Sequence, residues 1–129
     1  MDELDFLLAQ FRNMAMFEDY DINSPESHGM DDDTPLHIIA LDGNYDLLKQ
    51  ILPFVREIDV IGDCGNTPLH YAVNWNHPEI AKILVENGAN PMRPNDYGDI
   101  PLLMMRSKSG FQDVCRAIEE NIKIQGISP

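Results

Sequence analysis

The sequence predicts an all-α protein built from stacked repeats, and three observations support this fold class. The tetrapeptide Thr-Pro-Leu-His occupies residues 34–37 and returns thirty-three residues later at 67–70. A diverged copy, Ile-Pro-Leu-Leu, follows after the same interval at 100–103. Apolar residues recur beyond these copies at the three- and four-residue spacing of one helix face. Such a period indicates units that bury their apolar faces only by stacking on one another.

Ahead of the repeats, residues 2–18 are predicted to form one helix with Asp2 as its N-cap. Its apolar residues lie at helical spacing: Leu4, Leu7, Leu8, Phe11, Met14 and Ala15. We interpret this stripe as a cap on the exposed flank of the first repeat. A docking helix for a groove in a partner is the alternative. Residues 19–29 are rich in Asn, Ser, Pro, Gly and acids, and are predicted to form an acidic loop.

The second repeat, residues 63–95, carries the most regular motifs. It reads Gly-Asn-Thr-Pro-Leu-His-Tyr-Ala over 65–72, then Asn-His-Pro-Glu-Ile-Ala over 76–81 and Gly-Ala-Asn over 88–90. A threonine N-cap before a proline at the first helical position is a typical helix start. These motifs resemble the ankyrin-repeat family. The resemblance implies a β-turn or hairpin loop plus two helices per unit, stacked into a solenoid that binds another protein.

The pattern also predicts the buried face. Leu69 and Ala72 are expected to point into the core from the first helix of this unit. The apolar stripe of its second helix is formed by Ile80, Ile83 and Leu84. Gly88 is expected to end that helix, because the chain there must take a positive φ.

The outer two repeats depart from the pattern. Repeat one, residues 30–62, has Asp32 where the family usually has glycine, and it lacks the helix-ending glycine at Val55. Pro53 removes a backbone donor near the same helix end, so we expect an irregular close and an altered turn over 56–63. Repeat three, residues 96–124, is degenerate. Its second helix, from Gln112 to about Lys123, fits only with one residue inserted near 107–110.

Length and charge limit the functions that fit. The 129 residues predict a single domain. The net charge is −13, and residues 1–33 hold ten acids against Arg12 alone. Nucleic acid and anionic membrane are therefore unexpected ligands, because both require clustered Lys and Arg. A protein with a basic contact surface is favoured because the acidic field would steer it; a role of the charge in solubility alone is the alternative.

The sequence favours a cytoplasmic location. Its start, Met-Asp-Glu, lacks the positive charge and cleavage site of a secretory signal. No apolar run approaches the roughly 18 residues that span a membrane. The two cysteines, Cys64 and Cys115, fall in different predicted repeats, so we expect neither a disulfide nor a metal site from them.

No motif for catalysis or cofactor binding is present, so we expect neither an enzyme nor a small-molecule substrate.

His37 and His70 occupy the same position in successive repeats. The family resemblance implies that they hydrogen-bond around the turn and its threonine, and His77 holds another family position. Asp31 to Asp33 lack the spacing of a calcium loop, so they are interpreted as a solvated, partner-facing turn rather than a cation site.

The family resemblance places partner contacts at the turn tips and at the ends of the first helices. Carried over position by position, this gives a concave surface, here called the recognition strip, made of Met30, Asp31, Asp33, Leu41, Asp42, Asp63, Cys64, Asn66, Asn74, Trp75, Asp96, Tyr97, Asp99, Ser107 and Lys108. Six of these are aspartates and one is a lysine. Trp75 is the expected anchor, because tryptophan is enriched among interface residues of large effect. The alternative is that Trp75 folds back over its neighbours, since Asn76 replaces the usual glycine.

Two functions are compatible with this surface. The first is an acidic inhibitor, such as an immunity protein or antitoxin, that occludes the active site of a basic toxin such as a nuclease. Its aspartates would then stand in for substrate phosphates. The second is a regulatory adaptor, or a pathogen-encoded decoy that binds host regulatory proteins. Both are binding functions without catalysis, and the fold alone does not choose between them.

Overall fold

A computed structural model of the protein describes residues 2–124, with side chains to residue 121. Within that range it contains α-helices and short 3-10 turns but no β-strand. The helices are α1 Glu3–Arg12, α2 Pro35–Asp42, α3 Tyr45–Ile51, α4 Pro68–Asn74, α5 Pro78–Glu86, α6 Pro101–Arg106 and α7 Gln112–Ile124. The 3-10 turns are Ala15–Phe17, Met30–Asp32, Leu52–Phe54 and Asp63–Gly65. The all-helical ankyrin fold predicted from the sequence is thus confirmed.

The helices form two rows. The first helices of the three units, α2, α4 and α6, pack side by side, and the second helices, α3, α5 and α7, follow the same order. Each first helix also packs on the second helix of its own unit. Helix α1 contacts α3, so it covers the free side of unit one as the apolar stripe predicts. Unit one, unit two and unit three below denote residues 30–62, 63–95 and 96–124.

The first helices of units one and two begin in the same way. Thr34 and Thr67 each accept a hydrogen bond from the backbone N–H of the histidine three residues later. That histidine in turn accepts a bond from the threonine N–H, which completes a reciprocal cap. Ile100 stands in the threonine position of unit three and provides no side-chain cap. Because the tetrapeptide has diverged in unit three, α6 begins without the side-chain cap that α2 and α4 have.

Left-handed backbone conformations recur at matching places in the turns. Cys64 and Gly65 have φ of 56° and 73°, and the corresponding Asp31 and Asp32 of unit one have φ of 61° and 65°. Asp32 therefore takes the conformation for which the family uses glycine. Aspartate is among the few residues with a side chain that enter this region readily. Gly88 ends α5 with φ of 101°, as predicted.

The core follows the predicted faces. Leu69 and Ala72 are fully buried, as are Ile80 and Leu84, whereas Ile83 is only partly buried. Helix α7 begins at Gln112, thirty-four residues after the first residue of α5. This spacing exceeds the repeat period of thirty-three by one, as the inserted residue predicted for unit three requires.

Helices α1 and α3 both end irregularly, because each is followed by a 3-10 turn. Helix α1 stops at Arg12, shorter than the predicted segment 2–18, and the chain continues into the 3-10 turn Ala15–Phe17. The Arg12 guanidinium donates to Asp5 within α1 and to the Ile22 carbonyl, so it joins the end of the helix to the following segment. Helix α3 closes through the 3-10 turn Leu52–Phe54, which is the irregular end expected around Pro53.

The linker before unit one repeats one hydrogen bond of the segment before unit three. The Pro25 carbonyl accepts from the Leu36 N–H at 3.0 Å, just as the Pro91 carbonyl accepts from the Leu102 N–H at 2.9 Å. The Glu26 carboxylate accepts from the backbone N–H groups of Arg56 and Glu57. The final part of the predicted acidic loop is therefore fixed to unit one by hydrogen bonds.

Candidate protein-binding surface

The turns of successive units lie directly on one another, and this stacking builds the recognition strip. The Asp96 N–H donates to the Cys64 carbonyl at 3.0 Å, and the Cys64 sulfur lies 3.4 Å from the Tyr97 hydroxyl. Cys64 and Tyr97 are the same position in units two and three. Residues thirty-three apart are therefore neighbours along the strip, as the repeat register requires.

Most strip residues are open to solvent. Trp75, at the C-cap of α4, is 52% exposed, and Tyr97 is 74% exposed at the tip of the third turn. Met30 is 51% exposed at the tip of the first. The remaining exposed members are Asp31, Asp42, Asp63, Asn74, Asp96, Asp99 and Ser107. Five exposed aspartates and two exposed aromatics thus belong to one stacked set of turns and helix ends.

Other strip residues are engaged within the protein. Asp33 is partly buried and accepts hydrogen bonds from the Tyr71 hydroxyl and from the Asp63 N–H. The Asn66 amide donates to the Asp63 carbonyl and accepts from Asn95. The side chains of Asp33 and Asn66 therefore form hydrogen bonds within the stack of turns. The sequence did not indicate these bonds.

The helix-end side of the strip has similar internal bonds. The Lys108 ammonium donates to the Asn74 carbonyl at 3.4 Å and to the Asn76 side chain at 3.1 Å. Ser107 donates to the Met104 carbonyl, and the Leu41 carbonyl accepts from the His77 imidazole. The strip's one lysine therefore ties unit three to unit two, and its single positive charge is outnumbered by the six aspartates of the strip.

The two repeat histidines are structural groups held in one tautomer. Nδ1 of His37 accepts from the Thr34 N–H, so Nε2 carries the proton and donates to the Asn66 carbonyl at 2.8 Å. His70 repeats the arrangement with Thr67 and donates to the Asp99 carbonyl at 2.9 Å. Burial lowers the pKa of both imidazoles below the ordinary value of 6.5. The local bonds implied by the family are present, and Nε2 adds a link to the next unit.

Leu103 takes the place of these histidines in unit three. It is 50% exposed, and its aliphatic side chain donates no hydrogen bond. The substitution was visible in the sequence, but its exposure follows from its position on the last of the described units. A second exposed apolar side chain, Phe6 on α1 at 70%, lies outside the strip. Phe6 was not among the predicted core or binding residues, because it does not belong to the apolar stripe of this helix.

Residues 2–124 include neither a metal-binding cluster of side chains nor a helix that could cross a membrane. No group of three or more His, Cys, Asp or Glu side chains in that range is arranged to hold a metal ion. The described helices include none that is long and apolar enough to cross a membrane.

Sequence comparison agrees with this architecture. A profile of ankyrin repeats in three copies matches residues 5–95 and 36–125. The chain belongs to the ankyrin-repeat family. Ankyrin repeats are generally non-enzymatic protein-interaction modules, so the matched residues form a module of the protein-binding kind.

The similar proteins include two that are named as regulatory subunits. The chain is 36% identical over 66 residues to human protein phosphatase 1 regulatory subunit 27, covering 51% of this chain and 43% of that protein. It is 36% identical over 72 residues to human B-cell lymphoma 3 protein, covering 53% and 16%. It is 32% identical over 99 residues to the probable 26S proteasome regulatory subunit p28 of Saccharomyces cerevisiae, covering 75% and 40%. The chain thus spans less than half the length of each.

Proposed function

We propose that this ankyrin protein binds a protein with a basic contact surface and thereby blocks or regulates it. The observation that supports this proposal is the charge balance of the recognition strip. Its five exposed aspartates stand beside Trp75 and Tyr97, while its one lysine is bound to the preceding unit. A basic surface gains both electrostatic steering and an aromatic anchor on such a strip.

The two kinds of residue would contribute to different steps of binding. Exposed aspartates act over a distance of about one Debye length and mainly raise the association rate. Trp75 would become desolvated on contact and mainly lower the dissociation rate. Binding along the turns and helix ends would place the body of the solenoid over the partner's surface and close it to other ligands.

The more specific form of the proposal is a cytoplasmic immunity protein or antitoxin that occludes a basic toxin. The acidic strip would occupy a site that normally receives phosphate groups. Co-expression is the direct test: a toxin domain encoded beside this gene should be lethal alone and harmless with this protein. Continued lethality in the presence of the wild-type chain would contradict this form.

A regulatory adaptor is the second candidate, and the relatives favour it. Two of the three named above are called regulatory subunits in their own names. In this form the partner is an enzyme or assembly of the same cell, or of a host, and the strip modulates it. Affinity capture from native cells followed by mass spectrometry separates the two forms, because it identifies either a toxin or a regulated protein.

The anchor is tested by Trp75→Ala with the captured partner. We expect faster dissociation and a loss of about 2 kcal/mol or more, with little dependence on salt. Tyr45→Ala is the control, because Tyr45 is a comparably exposed aromatic, 42% against 52%, on α3 and outside the strip. Unchanged binding by Trp75→Ala would exclude the tryptophan as the anchor.

The steering residues are tested by joint replacement of Asp63, Asp96 and Asp99 with asparagine. Association should slow, and the difference from wild type should shrink between 0.1 and 1 M salt as the Debye length falls from about 10 to about 3 Å. A matched control removes three exposed charges from the N-terminal segment, as Glu18→Gln with Asp19→Asn and Asp21→Asn. If the control slows association more than the strip variant, the N-terminal segment is the recognition element instead.

A further inference from the structure

Units one and two meet at a hydrogen-bonded carboxylate. The Tyr71 hydroxyl donates to Asp33 at 2.8 Å from Oδ1 and 2.9 Å from Oδ2. The Asp63 backbone N–H donates to the same Oδ1 at 3.1 Å. Both donors belong to unit two and the acceptor belongs to unit one. Bonds to an ionised acceptor are roughly twice as strong as neutral ones.

The surroundings of this contact leave little room for movement. A Cβ atom added at Gly62 would collide with Asp33 Oδ1 and lie 2.7 Å from His37 Nε2. The His37 ring packs edge-on against Tyr71 with centroids 5.2 Å apart. His37 also donates to the Asn66 carbonyl at the other end of the same turn. The turn of unit two is therefore held at both ends by unit one.

The corresponding contact between units two and three is built differently. Asn66 occupies the position of Asp33 and pairs with the Asn95 amide at 2.9 Å. Met104 occupies the position of Tyr71 and has no hydroxyl to donate. The Asp96 N–H, equivalent to that of Asp63, donates to the Cys64 carbonyl instead. The carboxylate contact thus belongs to the first junction and not to the second.

We propose that Asp33 and Tyr71 are positioning residues, which hold the turn of unit two so that Asp63 and Cys64 face a partner. Tyr71 is only 9% exposed, so its hydroxyl acts through Asp33 and not on a partner. Asp33 was predicted from the sequence to contact the partner, but its carboxylate is already occupied by two donors. This inference rests on the proposed function for the use of the strip, but the geometry it describes is testable without a partner.

The test is residue-resolved amide hydrogen exchange by NMR on the full chain carrying Tyr71→Phe. Loss of the hydroxyl frees the Asp33 carboxylate, so exchange of the Asp63 amide should accelerate about tenfold or more. The Asp96 amide is the internal control, because it has the same place in unit three but a backbone acceptor. The helical amide of Leu84 reports on global unfolding. Tyr45→Phe, which removes an exposed hydroxyl from α3, should leave all three amides at wild-type rates.

Two outcomes would overturn the proposal: an Asp63 amide that exchanges at the wild-type rate in Tyr71→Phe, or equal acceleration at Asp63, Asp96 and Leu84. If Tyr71→Phe does not fold, Asp33→Asn provides the same test with one acceptor oxygen retained. It should accelerate Asp63 selectively, and exchange at the wild-type rate would again exclude the contact. Since no partner enters the experiment, its failure is distinct from failure of the proposed function.

Discussion

Replacement of His70 by alanine tests the strongest structural link between units two and three. The imidazole is 1% exposed and joins the Thr67 N–H, at 3.1 Å, to the Asp99 carbonyl, at 2.9 Å. In His70→Ala the buried Thr67 N–H loses its acceptor, which costs about 1–3 kcal/mol. The Asp99 carbonyl still accepts from the Asn95 N–H at 3.0 Å, so the loss of the histidine bond adds only about 0.5–1.5 kcal/mol. Together we expect about 2–4 kcal/mol.

The loss is measured by urea unfolding followed by circular dichroism. With a slope of about 2 kcal/mol per molar urea, the midpoint should fall by about 1–2 M. His28→Ala is the control, because it removes an exposed imidazole from the linker and should change the midpoint little. A loss below about 0.5 kcal/mol in His70→Ala would refute the structural assignment and return this histidine to the candidates for a binding or catalytic role.

Two further predictions concern the core and its response to acid. Leu69→Ala empties a fully buried position and should cost about 2–5 kcal/mol in urea unfolding, so a loss below about 0.5 kcal/mol would place the inward face elsewhere. The lowered pKa values of His37 and His70 mean that the unfolded chain takes up protons first as the pH falls below 6.5. Stability from these groups is therefore complete above about pH 6.5 and declines below it. Urea midpoints at pH 7.5 and 5.5, with 15N NMR of the imidazoles, check this; equal midpoints with protonated rings would contradict it.

The parts of the fold that the sequence predicts are those repeated in it. Thr67, Pro68 and Gly88 each have a local backbone role, so a motif alone locates the helix starts and ends. Asp32 shows the limit of this reasoning. The sequence marked Asp32 only as a departure from the family's glycine, and it did not reveal that aspartate adopts the same left-handed conformation there, with φ of 65°.

The recognition strip was less predictable because its residues interact across units. Asp33 and Tyr71 are thirty-eight residues apart, at positions whose residue type differs among the three units. No local motif therefore predicts their contact. Lys108 presents the same difficulty, since its partners Asn74 and Asn76 lie 34 and 32 residues earlier in the chain. Family register therefore predicts which residues form the strip, and the packing shows which of their side chains are exposed and which join one unit to the next.

Each of the two repeat histidines donates a hydrogen bond to the turn of the unit that follows its own. His37 in unit one holds the turn of unit two, and His70 in unit two holds the turn of unit three, whereas Leu103 passes no such bond onward. Among the described units, unit three has neither the threonine–histidine cap nor a carboxylate contact at its junction, so its intrinsic and interface stabilisation are the weakest. Unit three should therefore open first under denaturant or mechanical load, and do so without disturbing the junction at Asp33.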